Sequence, residues 1–213
     1  MIAVVDYHKG NLKSVERGLI GVGADARITD DLEEIRSARA IVLPGVGAYA
    51  DAANAMRELG QMDLLRMLIA QGVPFLGICL GLQLLFAAGE EHAQDGKPTP
   101  GLGVIPGIVG PLPKTDDEGN AYKIPHVGWN SIELTVHNSQ LFNGIESGEH
   151  FYFTHSFVVP ESGATIATTT HSITFPSAVQ WRQSCFGVQF HPEKSSDAGA
   201  KVLRNFVEYA EWK

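Results

Sequence analysis

Cysteine is nearly absent from this sequence: Cys79 and Cys185 are the only two in 213 residues. They stand in unlike surroundings, which argues against a disulfide framework or a cysteine-rich metal site. No basic block occurs, and 16 Lys plus Arg against 24 Asp plus Glu leave a formal charge of -8. A nucleic-acid surface needs clustered cations to neutralise phosphates, so that class is set aside. Long apolar runs are missing as well. Ala40–Leu43 and Phe75–Leu80 fall far short of the ~20 residues that span a bilayer. Met1-Ile2-Ala3-Val4-Val5-Asp6 carries neither a basic flank nor a small-residue cleavage site, so no signal peptide is expected. What is present is a chain 44% hydrophobic and 19% charged, the balance of a soluble protein with a sizeable core. The expectation is a single cytosolic domain spanning residues 1–213.

The first half alternates strand and helix signals. Met1–Asp6 is a short apolar run ending at a carboxylate, followed by a glycine-containing loop at Tyr7–Gly10. Leu12, Val15, Leu19 and Ile20 then recur at helical spacing, and Gly21 and Gly23 stop the helix. Ala24–Ile28 reads as a second strand, Asp31–Ser37 as a short helix and Ala40–Leu43 as a third strand, broken by Pro44-Gly45-Val46-Gly47. Helices follow near Ala50–Glu58 and Met62–Ala70. Val73–Ile78 is a fourth strand, with a helix over Leu80–Ala87 after a one-residue turn. Short buried strands joined by helices predict a mainly parallel sheet flanked by helices.

From Gly101 the pattern changes to short runs rich in Val, Ile, Thr and aromatics: Gly103–Val109, Ser131–Val136, His150–Val159, Thr165–Thr170, Ser177–Trp181 and Cys185–Phe190. Gly, Pro and Asn punctuate them, as hairpins added to a parallel core require. Gln94–Pro100 and Thr115–Asn120 are expected to be exposed loops. Val202, Phe206 and Tyr209 give helical spacing from Asp197 to the end.

Two local patterns carry chemistry. In Phe75-Leu76-Gly77-Ile78-Cys79-Leu80-Gly81, a thiol sits on a strand-to-helix turn whose glycines remove clashing side chains. A helix N-terminus there favours thiolate, and the Leu80 amide would point at a developing oxyanion. Read alone, Cys79 is equally well a small buried core residue. In Gly187-Val188-Gln189-Phe190-His191-Pro192-Glu193, residues i and i+2 of an extended chain project to one side, so His191 and Glu193 can address one site. A cysteine nucleophile needs a base, and the base needs a group to fix its tautomer. Alone, this pair is also readable as a surface His beside a solvated Glu. Each pattern supplies what the other lacks.

Gly-Ile-Cys-Leu-Gly with a distant His-Pro-Glu resembles the class I glutamine amidotransferases, which use a Cys-His-Glu triad. Pro44-Gly45-Val46-Gly47-Ala48, Pro125-His126-Val127-Gly128-Trp129-Asn130, Phe151-Tyr152-Phe153-Thr154-His155-Ser156 and Phe175-Pro176-Ser177-Ala178-Val179 narrow the resemblance to the glutaminase subunits of imidazole glycerol phosphate synthases. These strings cover nearly the whole chain in order. The resemblance implies a flavodoxin-like α/β fold with an antiparallel extension. It implies Cys79 as nucleophile, His191 as base and Glu193 as its orienting partner. Leu80, Val46 and Gly47 would supply oxyanion donors, the second of them after a peptide rotation. Gln83, Glu91, His155 and Ser156 would contact glutamine. Asn11 with its neighbour Gly10, Tyr152 and Lys194 would face a separate (β/α)₈-barrel cyclase subunit that receives the ammonia.

No metal or organic cofactor is expected. His126, His155 and His191 lack the paired spacing of a zinc site, Trp129 and Tyr152 are readable as core or rim aromatics, and Cys185 reads as structural. Two positions depart from the family pattern. His8 stands where a small residue is usual, on the loop expected to face the partner, and Phe157 replaces a frequent Tyr. A sugar-amidating relative with a similar barrel partner, a free γ-glutamyl hydrolase and a silent binding module remain as rival readings.

Overall fold

A computed structural model describes residues 1–136 and 138–212. The first half folds as β1 (Ile2–Val5), α1 (Leu12–Gly21), β2 (Ala26–Thr29), α2 (Leu32–Ser37), β3 (Ala40–Gly45), α3 (Tyr49–Glu58), α4 (Gln61–Ala70), β4 (Phe75–Cys79) and α5 (Leu80–Gln83). Strands β5 (Phe86–Gln94), β6 (Lys97–Pro100), β7 (Ile105–Pro111), β8 (His126–Ser131), β9 (Glu133–Leu134), β10 (His150–His155) and β11 (Phe157–Val158) follow. The chain closes with β12 (Thr165–Thr170), β13 (Thr174–Trp181), β14 (Cys185–Val188) and α6 (Ser196–Glu211).

Among the described residues the main sheet has eight strands in the order β2-β1-β3-β4-β14-β13-β12-β9. The pairs from β2 to β14 are parallel and those from β14 to β9 antiparallel. The fold is therefore the expected α/β one, a mainly parallel sheet with an antiparallel extension. Alternation within the strands separates two cores. Ile2 and Val4 of β1 pack with Leu12, Val15 and Leu19 of α1 and with Val202 and Phe206 of α6. Ala3 and Val5 pack on the other face with Tyr49, Met56 and Leu65 from α3 and α4. Both faces are buried, so these strands read as unbroken apolar runs. The Asp31 side chain caps α2, accepting from the Glu33 and Glu34 amides at 2.8 and 3.0 Å.

Several expectations need correction. The helix over Leu80–Ala87 is one turn, α5, and the chain enters β5 at Phe86. Leu80, Leu82, Leu84, Leu85 and Phe86 are all buried, so the run had no polar face from which to read a period. Gln94–Pro100 is no loop but the turn and return strand of the β5–β6 hairpin. Asp95 and Gly96 hold φ of 53° and 68°, the two positive values that a tight hairpin turn demands. His150–Val159 divides at Ser156 into β10 and β11, which pair with different strands. Strand β8 lies over the Pro125–Asn130 string, for which no strand was foreseen, and Ser131–Val136 keeps only β9. Ile20 is exposed rather than part of the buried face of α1. Lys213, the end of the expected last helix, lies outside the described residues.

Candidate active site

Strand β4 runs buried to Cys79, where φ 54° and ψ -107° place a non-glycine residue in the left-handed region. Such a conformation costs of order 1–3 kcal/mol and persists where packing over-determines it. Here the packing is identifiable. A Cβ on Gly77 would come within 2.5 Å of the Gly81 carbonyl oxygen, and one on Gly81 would overlap the Leu43 carbonyl. The register pairs Gly45 with Cys79, which sets the Pro44–Gly47 turn beside the sulfur. Because α5 is a single turn, it supplies the Leu80 amide rather than a long helix dipole.

The sulfur lies 3.8 Å from the Thr154 carbonyl and 3.6 Å from Gln189 Nε2. His191 Nδ1 donates to Glu193 Oε1 at 2.8 Å, both side chains being 3% exposed. This pair is made by a 3₁₀ turn at Pro192–Lys194, not by the extended chain expected from the i, i+2 spacing. Ser195 anchors the turn: its hydroxyl donates to the His191 carbonyl at 2.7 Å and accepts from the Tyr152 amide at 2.9 Å. His191 Nε2 is buried without a full hydrogen bond. Burial pushes the His191 imidazole down, but the Cys79 sulfur and the Glu193 carboxylate outweigh it and hold the pKa up at about 9. A base tied at one nitrogen to a carboxylate, with its other nitrogen influenced by a thiol sulfur, can exchange a proton with that sulfur.

Cys79 opens into a pocket of about 380 Å³ that Val46, Gly47, Leu80, Gln83, Glu91, His155, Ser156 and Phe157 help to line. Every residue expected at the oxyanion or substrate positions is thus brought to one cavity. Glu91 accepts from the Tyr49 amide at 3.0 Å, and partial burial raises its pKa. Gln83 is 4% exposed and donates through Nε2 to the Phe157 carbonyl at 3.0 Å and to Gln189 Oε1 at 3.1 Å. Phe157 thus serves the site through its backbone, whatever its side chain. A larger cleft of about 710 Å³, lined by Phe142, Ile145 and Tyr209 among others, contains none of the triad. Cys185 is buried, which pushes its thiol pKa up.

His126 and His155 are linked in one hydrogen-bonded chain that reaches the pocket through His155. Asn130 Nδ2 donates to His126 Nε2 at 3.2 Å, His126 Nδ1 to His155 Nε2 at 3.0 Å, and His155 Nδ1 to the Phe157 carbonyl at 3.0 Å. A carbonyl can only accept, so it fixes the direction of the whole chain. Burial pushes the pKa of His126 down to about 4 and of His155 to about 3. Among the described residues no group of three or more His, Cys, Asp or Glu side chains is placed to hold a metal ion.

Near the pocket, Lys194 Nζ lies 5.8 Å from the Tyr152 ring centroid, and Trp129 meets that ring edge-on at 6.3 Å. Trp129 and Val127 are more than half exposed, at 52% and 56%. A Cβ on Gly10 would touch the Val46 side chain, and Asn11 is exposed beside it. His8 takes φ 65° and bonds Asp30 through Nε2 at 2.9 Å, which raises its pKa. Sequence reasoning missed Gln189, Ser195 and the pocket residue His92. Gln189 stood inside the quoted His-Pro-Glu string, and its place two residues before His191 was the available signal.

The family described as glutamine amidotransferase class-I matches residues 3–210. The protein named imidazole glycerol phosphate synthase subunit HisH from Caldanaerobacter subterraneus subsp. tengcongensis is 45% identical over 210 residues, covering 98% of each chain. Its namesake from Syntrophotalea carbinolica is 43% identical over 209 residues, covering 97% of this chain and 98% of its own. In fold, the chain resembles a crystal structure of glutamine amidotransferase with a TM-score of 0.73 at 20% identity, over 99% of this chain and 100% of that one. It also resembles PurLQS from Thermotoga maritima, with a TM-score of 0.72 at 19% identity, over 98% and 97% of the two chains.

Proposed function

The chain belongs to the class-I glutamine amidotransferases, enzymes that take nitrogen from glutamine, and from that premise we propose that it is the cytoplasmic glutaminase subunit of an imidazole glycerol phosphate synthase. The Cys79 thiolate attacks the side-chain amide carbon of glutamine. The oxyanion lies between the Leu80 amide and a donor from the Val46–Gly47 turn. His191, as imidazolium, gives its proton to the departing nitrogen, so ammonia leaves and a γ-glutamyl thioester remains. Water then attacks the thioester with His191 as base, releasing glutamate and restoring the thiol. Gln83, Glu91, His155 and Ser156 position the amino acid, and no cofactor takes part.

The observation that carries this reading is the buried His191–Glu193 pair acting on a sulfur held at positive φ over a pocket. Ammonia released to neutral water is protonated and loses its nucleophilicity, which favours a partner that consumes it in place. That partner is a (β/α)₈-barrel cyclase subunit, docked on Asn11, Tyr152 and Lys194 together with the exposed Trp129 and Val127. With that ammonia it makes imidazole glycerol phosphate and AICAR in histidine biosynthesis. The near full-length likeness to two proteins named as HisH subunits supports this assignment over a sugar-amidating synthase.

The isolated chain is expected to be a poor glutaminase. The buried Tyr7 hydroxyl makes no full hydrogen bond, and the Val46 amide acts on it. In the proposed resting state this contact is a latch, engaging the Val46 amide with Tyr7 in place of the oxyanion. Loss of one such donor costs ~10²–10³ in kcat, and a docked cyclase with an acceptor analogue should recover a comparable factor. The test is kcat for glutamine hydrolysis with and without the cyclase subunit. Equal rates would refute the latch, and no hydrolysis under either condition would refute the glutaminase assignment.

A further inference from the structure

The hydrogen bonds around Gln83 have a polarity that reaches the nucleophile. The Phe157 carbonyl can only accept, so Gln83 must present its amide nitrogen there, at 3.0 Å. The same nitrogen has a second hydrogen, which goes to Gln189 Oε1 at 3.1 Å. With its oxygen committed, Gln189 has only its own amide nitrogen to offer Cys79 Sγ, 3.6 Å away. Reversing the Gln189 amide would set two NH₂ groups against each other. Reversing both amides would set the Gln83 oxygen against a carbonyl. Gln189 is fully buried, so water cannot substitute for either contact.

We propose that Gln189 is a further catalytic residue: a buried amide donor that stabilises the Cys79 thiolate and, through its other end, locks the amide of Gln83. The proposal rests on the glutaminase reading of the site and goes beyond its triad. The two groups bonded to the sulfur serve different protonation states. The Thr154 carbonyl at 3.8 Å accepts only from the thiol. The Gln189 N–H donates best to the thiolate, as a charged acceptor makes the stronger bond. Unlike His191, an amide takes up no proton at neutral pH, so it stabilises the anion without competing as a base.

The test is the rate of Cys79 alkylation by iodoacetamide, read by mass spectrometry across pH, together with KM and kcat for glutamine. Gln189→Met removes the donor at similar volume. Alkylation at pH 7 should fall about tenfold, the effect of losing a donor to a charged acceptor, and KM should rise as Gln83 is freed. Gln189→Glu is nearly isosteric and guards against a misfolded Met variant. It keeps the acceptor for Gln83, so KM stays near wild type, but makes the sulfur-facing group titratable. Its alkylation rate should decline as the new carboxyl ionises, where that of wild type rises to a plateau. A folded variant of either kind with the wild-type alkylation profile overturns the proposal, whatever happens to KM. Iodoacetamide reports on the sulfur with or without a cyclase, so a wrong partner leaves the test intact. A wild-type Cys79 that resists alkylation at every pH would overturn both this proposal and the glutaminase reading.

Discussion

At the scale of single residues, the site divides the labour of proton transfer between a base and its holder. His191 Nδ1 is tied to Glu193 at 2.8 Å, leaving Nε2 for the sulfur. Replacing Cys79 by Ser should abolish hydrolysis while the fold survives, because the two side chains differ little in volume. A glutamine-analogue electrophile should mark Cys79 in the wild type; an adduct on Cys185 alone would show the nucleophile to be misassigned. His191→Ala removes the group that protonates the leaving nitrogen, and general acid–base catalysis contributes ~10²–10⁴ in rate. Glu193→Gln should be milder, since its amide oxygen can still accept from Nδ1. Values of kcat for the two variants, each saturated with the cyclase, decide the matter. Equal or inverted losses would give Glu193 another role.

At the scale of elements, what the sequence made legible depended on contrast. The alternating strands and helices of the first half are visible because glycines, prolines and carboxylates punctuate them, and both ends of the triad lie in strings of unusual composition. The short α5 was not legible, because Leu80 to Phe86 is buried throughout, its single polar residue Gln83 included, so no polar face marks where the helical period stops. The hairpin at Asp95-Gly96 was legible and overlooked. Gln189 was hidden for a different reason: a buried glutamine declares its purpose only through partners that tertiary structure supplies. The Pro44–Gly47 turn shows how an element's freedom is testable. Gly47 has φ 95°, and a Cβ there would meet no atom within 4 Å. Gly47→Val therefore fails through backbone strain rather than collision. It should remove most of the cyclase-stimulated gain, about 10²-fold or more, with little change in cyclase affinity. Parallel loss of both would make the turn a docking element instead.

At the scale of the whole molecule, three histidines with opposed shifts shape stability against pH. His191 has its pKa raised to about 9. Its contribution is fully present below the unfolded value of about 6.5 and is lost as pH rises through about 9. His126 and His155 have theirs lowered to about 4 and about 3. Below pH of about 6.5 the unfolded chain binds protons at these two positions that the folded chain refuses, so stability falls with falling pH. The three together place a maximum near pH of about 6.5, with an alkaline limb from the triad and an acid limb from His126 and His155. Each limb can be removed separately. His126→Phe, set among Phe153, His171 and Phe175, should make the acid limb shallower by about 1.4 kcal/mol per pH unit, the slope of one proton. The alkaline limb should stay unchanged. His191→Gln should flatten the alkaline limb and leave the acid one. Urea unfolding of wild type and both variants between pH 4.5 and 9.5 measures the slopes directly. If His126→Phe leaves the acid limb as steep as in the wild type, His126 is charged in the folded protein, and the one-way hydrogen-bond chain from Asn130 to the Phe157 carbonyl is wrong.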